Sequence, residues 1–136
     1  MSKNSLRAIV VLGIAAIAGL TLLSTPASAQ GGCATSSTQL SLSTASPGWP
    51  VGVFTDVTSC ADRKLRYTVE RTFTSACGVK TLVSRSRLVF QPHELRTVST
   101  SFQVPSDTCP GPGMVISKVS EGTSLLSTSS APLTIQ

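Results

Sequence analysis

Histidine occurs once in these 136 residues, at His93, and no Cys-x-x-Cys pair occurs at all. Zinc centres draw on clustered His and Cys at short spacings, so no metal site is expected. Nucleophilic catalysis needs a base beside the nucleophile and a third group to orient that base. His93 lies in a turn between Pro92 and Glu94, and no Gly-x-Ser-x-Gly elbow is present to supply the nucleophile. The carboxylates Asp56, Asp62, Glu70, Glu94, Asp107 and Glu121 show no pairing of the kind glycoside hydrolysis requires. No helical period opens after Gly111 or Gly113, so these are turn glycines rather than a phosphate cradle. These absences point to a chain without catalytic residues, cofactor or metal.

The N-terminal stretch reads as a targeting segment. Lys3 and Arg7 make a basic start, residues 8–23 are almost unbroken apolar, and Pro26 precedes the small-x-small pattern Ala27-Ser28-Ala29. A signal peptide over 1–29, helical before cleavage, is therefore expected. The apolar run is short for a membrane span of ~20 residues, so contact with the membrane is expected only through this segment before cleavage. Acylation of Cys33 is disfavoured, because Gln30 stands where a lipoprotein pattern wants an apolar residue and the bond would orphan one of the other three cysteines. The expected location is secreted or periplasmic.

The remaining 107 residues suit one domain, with a core that buries roughly 65% of the unfolded surface. Four cysteines, Cys33, Cys60, Cys77 and Cys109, in a chain bound for an oxidising compartment read as two disulfides. After cleavage nine Lys or Arg face six acids, a net charge of +3 that is too mild to imply nucleic acid. Seven of the nine cations fall between Arg63 and Arg87, Arg85 and Arg87 among them. A solvated strand face guarded against edge pairing is the plain reading of that cluster; a site for an anionic partner is the sharper one.

What the mature chain does carry is period-two alternation. Residues 30–38 are small and polar and read as a flexible lead-in. Strands follow over 39–46, 51–60, 64–76, 80–90, 95–104, 114–120 and 125–135, with Pro and Gly between them. Leu65, Tyr67, Val69 and Phe73 share one face with Arg71, and the expectation is that overhang or a bulge turns this arginine outward. Over 80–90 Leu82, Ser84, Ser86, Leu88 and Phe90 share one side, and Val83, Arg85, Arg87 and Val89 share the other. Over 114–120 the two faces compete. Leu125, Ser127, Ser129, Ala131, Leu133 and Ile135 share one parity. Seven short strands with turn residues between them indicate an all-β, antiparallel sandwich over 39–136.

Pro47-Gly48-Trp49-Pro50-Val51 leading into a strand resembles the opening of the second strand in bacterial extracytoplasmic immunoglobulin-like and fibronectin-III-like domains. Pro92, Val98, Phe102, Val104-Pro105, the 111–113 Gly-Pro-Gly and Leu133 to Ile135 are similar to the closing half of such domains. Met114 departs from the pattern, which usually has a tyrosine there. The resemblance implies a seven-stranded immunoglobulin-like β-sandwich and an extracytoplasmic setting, and it carries over no catalytic residue.

If successive strands alternate in direction, Cys33 and Cys60 meet at one pole and Cys77 and Cys109 at the other, ~33 Å away for a ten-residue strand. An immunoglobulin-like strand order agrees, so the pairs Cys33–Cys60 and Cys77–Cys109 are expected. Trp49 is a plug or turn anchor unless exposed, in which case it joins Arg85 and Arg87 as a binding candidate. The functional expectation is a non-enzymatic exported domain that binds an envelope or extracellular protein or polymer, or serves structurally there. The alternative is a small disulfide-stabilised inhibitor of an enzyme such as a protease, presenting residues 106–112.

Overall fold

The computed structural model describes residues 31–136; the signal segment expected over 1–29 lies outside the described residues. Cys33–Gln136 form one compact unit. Its strands are β1 Ala34–Leu40, β2 Thr44–Ala45, β3 Pro50–Ser59, β4 Leu65–Thr74, β5 Lys80–Phe90, β6 Leu95–Gln103, β7 Gly111–Glu121 and β8 Ser124–Ile135. They make a three-stranded sheet in the order β1-β3-β6 and a five-stranded sheet in the order β2-β8-β7-β4-β5. There are thus eight strands rather than seven, and one pairing, β2 with β8, is parallel.

The added strand comes from a change of sheet. Where a single strand over 39–46 was expected, β1 runs antiparallel to β3, the chain crosses at 41–43, and β2 continues beside β8 in the other layer. β1 also begins at Ala34, inside the stretch read as a lead-in. Its inward side chains explain why no pattern announced it: Ser36 and Thr38 point at hydroxyls, not at hydrocarbon.

The interior has two apolar clusters. Ala34, Val57, Leu65, Tyr67, Val69, Phe90, Val98 and Val119 fill one end. Val51, Val53, Phe73, Val104, Val115, Leu133 and Ile135 fill the other. Between them lies a polar layer centred on Arg71, which is only 1% exposed. The expectation that Arg71 turns outward is therefore overturned. A bulge does occur opposite it, but on β5: Arg71 pairs with Ser84 and Thr72 with Leu82, leaving Val83 as the extra residue. This shift sends Leu82 out into solvent and lets Val83 pack inward, the reverse of strict alternation.

Hydrogen bonds from Nε and Nη1 hold Arg71 inside. Nε donates to Ser84 Oγ at 2.9 Å, and Nη1 donates to the Val98 carbonyl at 2.7 Å and to Thr55 Oγ1 at 3.4 Å. From Thr55 a chain of hydroxyls runs through Ser117, Thr38, Ser129 and Ser36 to Ser127, each contact between 2.7 and 3.2 Å. Burial lowers the guanidinium pKa from its ordinary value, yet arginine stays charged in proteins. A cation on one sheet is thus tied to a carbonyl on the other.

Two disulfides, Cys33–Cys60 and Cys77–Cys109, close the ends, and such bonds persist in oxidising surroundings. The Tyr67 hydroxyl binds the first into the core, donating to the Cys33 carbonyl at 3.1 Å and lying 3.0 Å from Ser59 Oγ. Arg96 of β6 joins the two sheets on the side where β5 and β6 are both edges: it donates to the Val89 carbonyl at 2.9 Å and lies over the Phe90 ring at 5.0 Å.

The 91–94 turn before β6 holds Glu94, whose Oε1 accepts from the Gln91 amide at 2.7 Å. That backbone hydrogen bond, with a further one from Arg96, holds the Glu94 carboxyl below the usual carboxylate range. A depressed folded-state pKa contributes stability at neutral pH that is lost as pH falls through it. The Tm difference between wild type and Glu94→Gln is therefore expected to be largest near pH 7, to begin narrowing at about pH 4, where the unfolded carboxyl protonates, and to close at lower pH as the folded carboxyl follows. A gap that is constant across a pH series of thermal melts would contradict this.

Candidate functional site

The outer face of the five-stranded sheet collects the chain's cations. Register places Arg85, Glu70, Lys118 and Thr128 in one row across β5, β4, β7 and β8. The next row is Arg87, Thr68, Ser120 and Leu125, and beyond it Arg66 stands opposite Val89. The core occupies the other side of the sheet, so these side chains face solvent. All of them but Thr128 and Val89, together with Gly122 of the β7–β8 turn, line a groove of about 580 Å³ that includes Arg66, Arg85, Arg87 and Lys118. A second recess of about 240 Å³ continues it past Glu70 and Lys118 toward Lys80.

Four cations against one carboxylate make this groove electropositive. Arg85 Nη2 lies 2.6 Å from Glu70 Oε2. Arg66, Arg87 and Lys118 make no ion pair among the described residues. A recess lined with unpaired cations concentrates anions by focusing the field.

Arg85 and Arg87, named from the sequence, line this groove, as do Arg66, Lys118 and Leu125, which the sequence reading did not name as site residues. Arg66 was visible as an outward residue on the parity of Thr68 and Glu70. Lys118 was hidden by the competing faces of its strand, which the structure decides by burying Val115, Ser117 and Val119. Parity groups Leu125 with Leu133 and Ile135, but the structure places it on the other side of the sheet. A bulge between Val119 and Ser120 makes Leu126 the extra residue, so Leu126 packs on the core and Leu125 lies at the groove, 58% exposed.

Trp49 is not part of this site. It is 51% exposed in the turn before β3, held by backbone bonds to Ser46 and Val104, near the end of the sandwich where β3 begins. His93 Nε2 lies 2.7 Å from Asp62 Oδ1, both side chains being exposed, and His93 adopts a positive φ of 57°. Among the described residues no three His, Cys, Asp or Glu side chains gather as metal ligands would. The 104–110 loop is stapled by Cys77–Cys109 and by Thr108, whose hydroxyl and amide both donate to the Pro105 carbonyl.

No family model and no curated protein matches this chain. Solved structures share its fold. The CARDB domain of PF1109 from Pyrococcus furiosus, solved with di-metal ions, superposes with a TM-score of 0.59 at 12% identity, covering 77% of this chain and 89% of that domain. The fold is similar to that of a CARDB domain. The β-glucosidase EmGH1 of Erythrobacter marinus gives a TM-score of 0.64 at 12% identity over 77% of this chain, which spans only 16% of the enzyme. Spo0M, a sporulation control protein from Bacillus subtilis, gives 0.58 at 15% identity, with 77% of this chain and 50% of that one covered. At these identities the likeness is one of fold alone, an all-β arrangement of two sheets.

Proposed function

We propose that this chain is an exported, non-enzymatic binding domain of the immunoglobulin-like and fibronectin-III-like kind, acting at the cell envelope or in the medium. Its contact surface is the outer face of β4, β5 and β7. The observation that carries this reading is the electropositive groove, in which three of four cations have no carboxylate partner among the described residues. Holding like charges together on one sheet face is unfavourable unless something offsets it, and an anionic partner does so. Support for a role without chemistry comes from the sole histidine, whose ring is bonded to an exposed aspartate and to no serine hydroxyl among the described residues.

Support for export comes from the leader-like pattern before Gln30 and from a disulfide at each end of the domain. The test is retention. Wild-type protein is expected to sediment with envelope fractions at low salt and to be released by several hundred millimolar NaCl, since exposed charge pairs are screened within about 8 Å at physiological ionic strength. The Arg66→Gln, Arg85→Gln, Arg87→Gln, Lys118→Gln quadruple variant is expected in the supernatant. Equal retention of both proteins would rule the groove out as the contact surface.

The inhibitor reading draws on the stapled 104–110 loop. It predicts protease inhibition that disappears on reduction, and the same purified protein serves for that assay.

A further inference from the structure

The two central rows of the outer face treat their cations differently. In one, Arg85 and Lys118 flank Glu70, and the carboxylate takes up Arg85. In the next, Arg87 and Ser120 flank Thr68, which offers a hydroxyl but no charge. Arg66 precedes Thr68 by two residues on β4, which makes Arg66 and Arg87 diagonal neighbours with backbones about 7–8 Å apart. Neither pairs with a carboxylate among the described residues. At this spacing two long guanidinium side chains can converge on one group.

We propose that Arg66 and Arg87, with the hydroxyls of Thr68 and Ser120, form a subsite for a phosphate group, and that the groove takes a linear polymer of phosphodiester-linked polyols. The inference rests on the groove being the binding face and names its ligand. Each guanidinium presents N–H donors in a fixed planar fork that matches phosphate geometry. A carboxylate holds its acceptor sites near one plane. A tetrahedral phosphate spreads its oxygens and receives donors from β4, β5 and β7 together.

A polymer fits better than a single ion for two reasons. The row of Arg85, Glu70 and Lys118 follows at roughly 7 Å, the two-residue repeat of a strand, so a second phosphate comes within reach of Lys118, the cation of that row that Glu70 does not take up. The groove, at about 580 Å³, is also much larger than one phosphate needs. Exposed Leu125 gives the intervening carbon chain an apolar wall. Single-stranded nucleic acid is bound by stacking its bases on aromatic side chains, and none lines this groove.

The experiment is a fluorescence titration of the full-length protein at fixed ionic strength, using a glycerol phosphate oligomer, polyglutamate of equal charge, a single-stranded oligonucleotide of equal phosphate number, and phosphatidylglycerol vesicles. The glycerol phosphate oligomer is expected to bind at least about tenfold more tightly than polyglutamate. Arg66→Lys and Arg87→Lys keep the charge and lose the fork. Each is expected to weaken the phosphate oligomer about tenfold, the effect of one lost charge-assisted bond, and to leave polyglutamate within about twofold.

Equal binding of both polymers, unchanged in the lysine variants, would overturn the phosphate subsite while leaving the groove as an anion-binding face. No binding of any probe by wild type would remove the groove reading itself. Tightest binding of the oligonucleotide or the vesicles would overturn the choice of polymer. Thermal melts of each variant separate loss of binding from loss of fold.

Discussion

Replacing Arg71 by alanine is expected to cost about 3–5 kcal/mol, a large share of the 5–15 kcal/mol typical of a domain this size. The largest fully buried side chain would be lost, opening a cavity between the two apolar clusters. The Val98 carbonyl and the hydroxyls of Ser84 and Thr55 would lose their donor. A buried polar group left unpaired costs about 1–3 kcal/mol. Arg71→Met separates these effects, because it restores volume and removes the buried charge but leaves the carbonyl unmet. It is expected to cost about 1–3 kcal/mol. Urea unfolding with an unchanged slope is the measurement. An alanine variant within about 0.5 kcal/mol of wild type would show that the guanidinium does not tie the sheets together.

Removing the Cys33–Cys60 disulfide as a double alanine variant is expected to cost about 3–4 kcal/mol from chain entropy for its separation of 27 residues. The entropic estimate for Cys77–Cys109, at 32 residues, is much the same. The structural consequences should nevertheless differ. Cys33 anchors β1, an edge strand whose inner face has only Ala34 and Leu40 on the apolar clusters, with Ser36 and Thr38 between them, so little hydrophobic burial holds it. Without the bond, β1 should exchange its amide hydrogens well before β3, and the Tyr67 contacts to residue 33 should loosen. Cys77–Cys109 instead ties the end of β4 to the loop before β7, strands that are already neighbours at the centre of their sheet. Its loss should lower the urea midpoint and leave the exchange pattern of the sheet intact. Identical exchange profiles for the two variants would refute this asymmetry. Reducing both bonds together is expected to bring the domain close to unfolding at room temperature.

The inner faces of β3, β4 and β6 were legible from sequence because Val51, Val53 and Val57, then Leu65, Tyr67, Val69 and Phe73, then Val98, Phe102 and Val104 alternate with polar neighbours. The start of β1 was not, since Ser36 and Thr38 on its inner face meet the hydroxyl layer and offer no apolar alternation. Strand direction also located the cysteine pairs, because the length of a sandwich keeps opposite ends out of reach. Parity misgroups Leu82 and Leu125 for one reason: each lies beside a bulge, and one extra residue inverts every assignment beyond it.

The sequence by itself determined an all-β chain, two sulfur bridges and the set of cations on 63–87. Only tertiary structure decided that Arg71 lies inside, and that Arg66 and Lys118 join Arg85 and Arg87 in one groove. Period-two alternation reports polarity within a strand, whereas the groove is made across β5, β4 and β7, whose side-by-side order is set by packing in three dimensions.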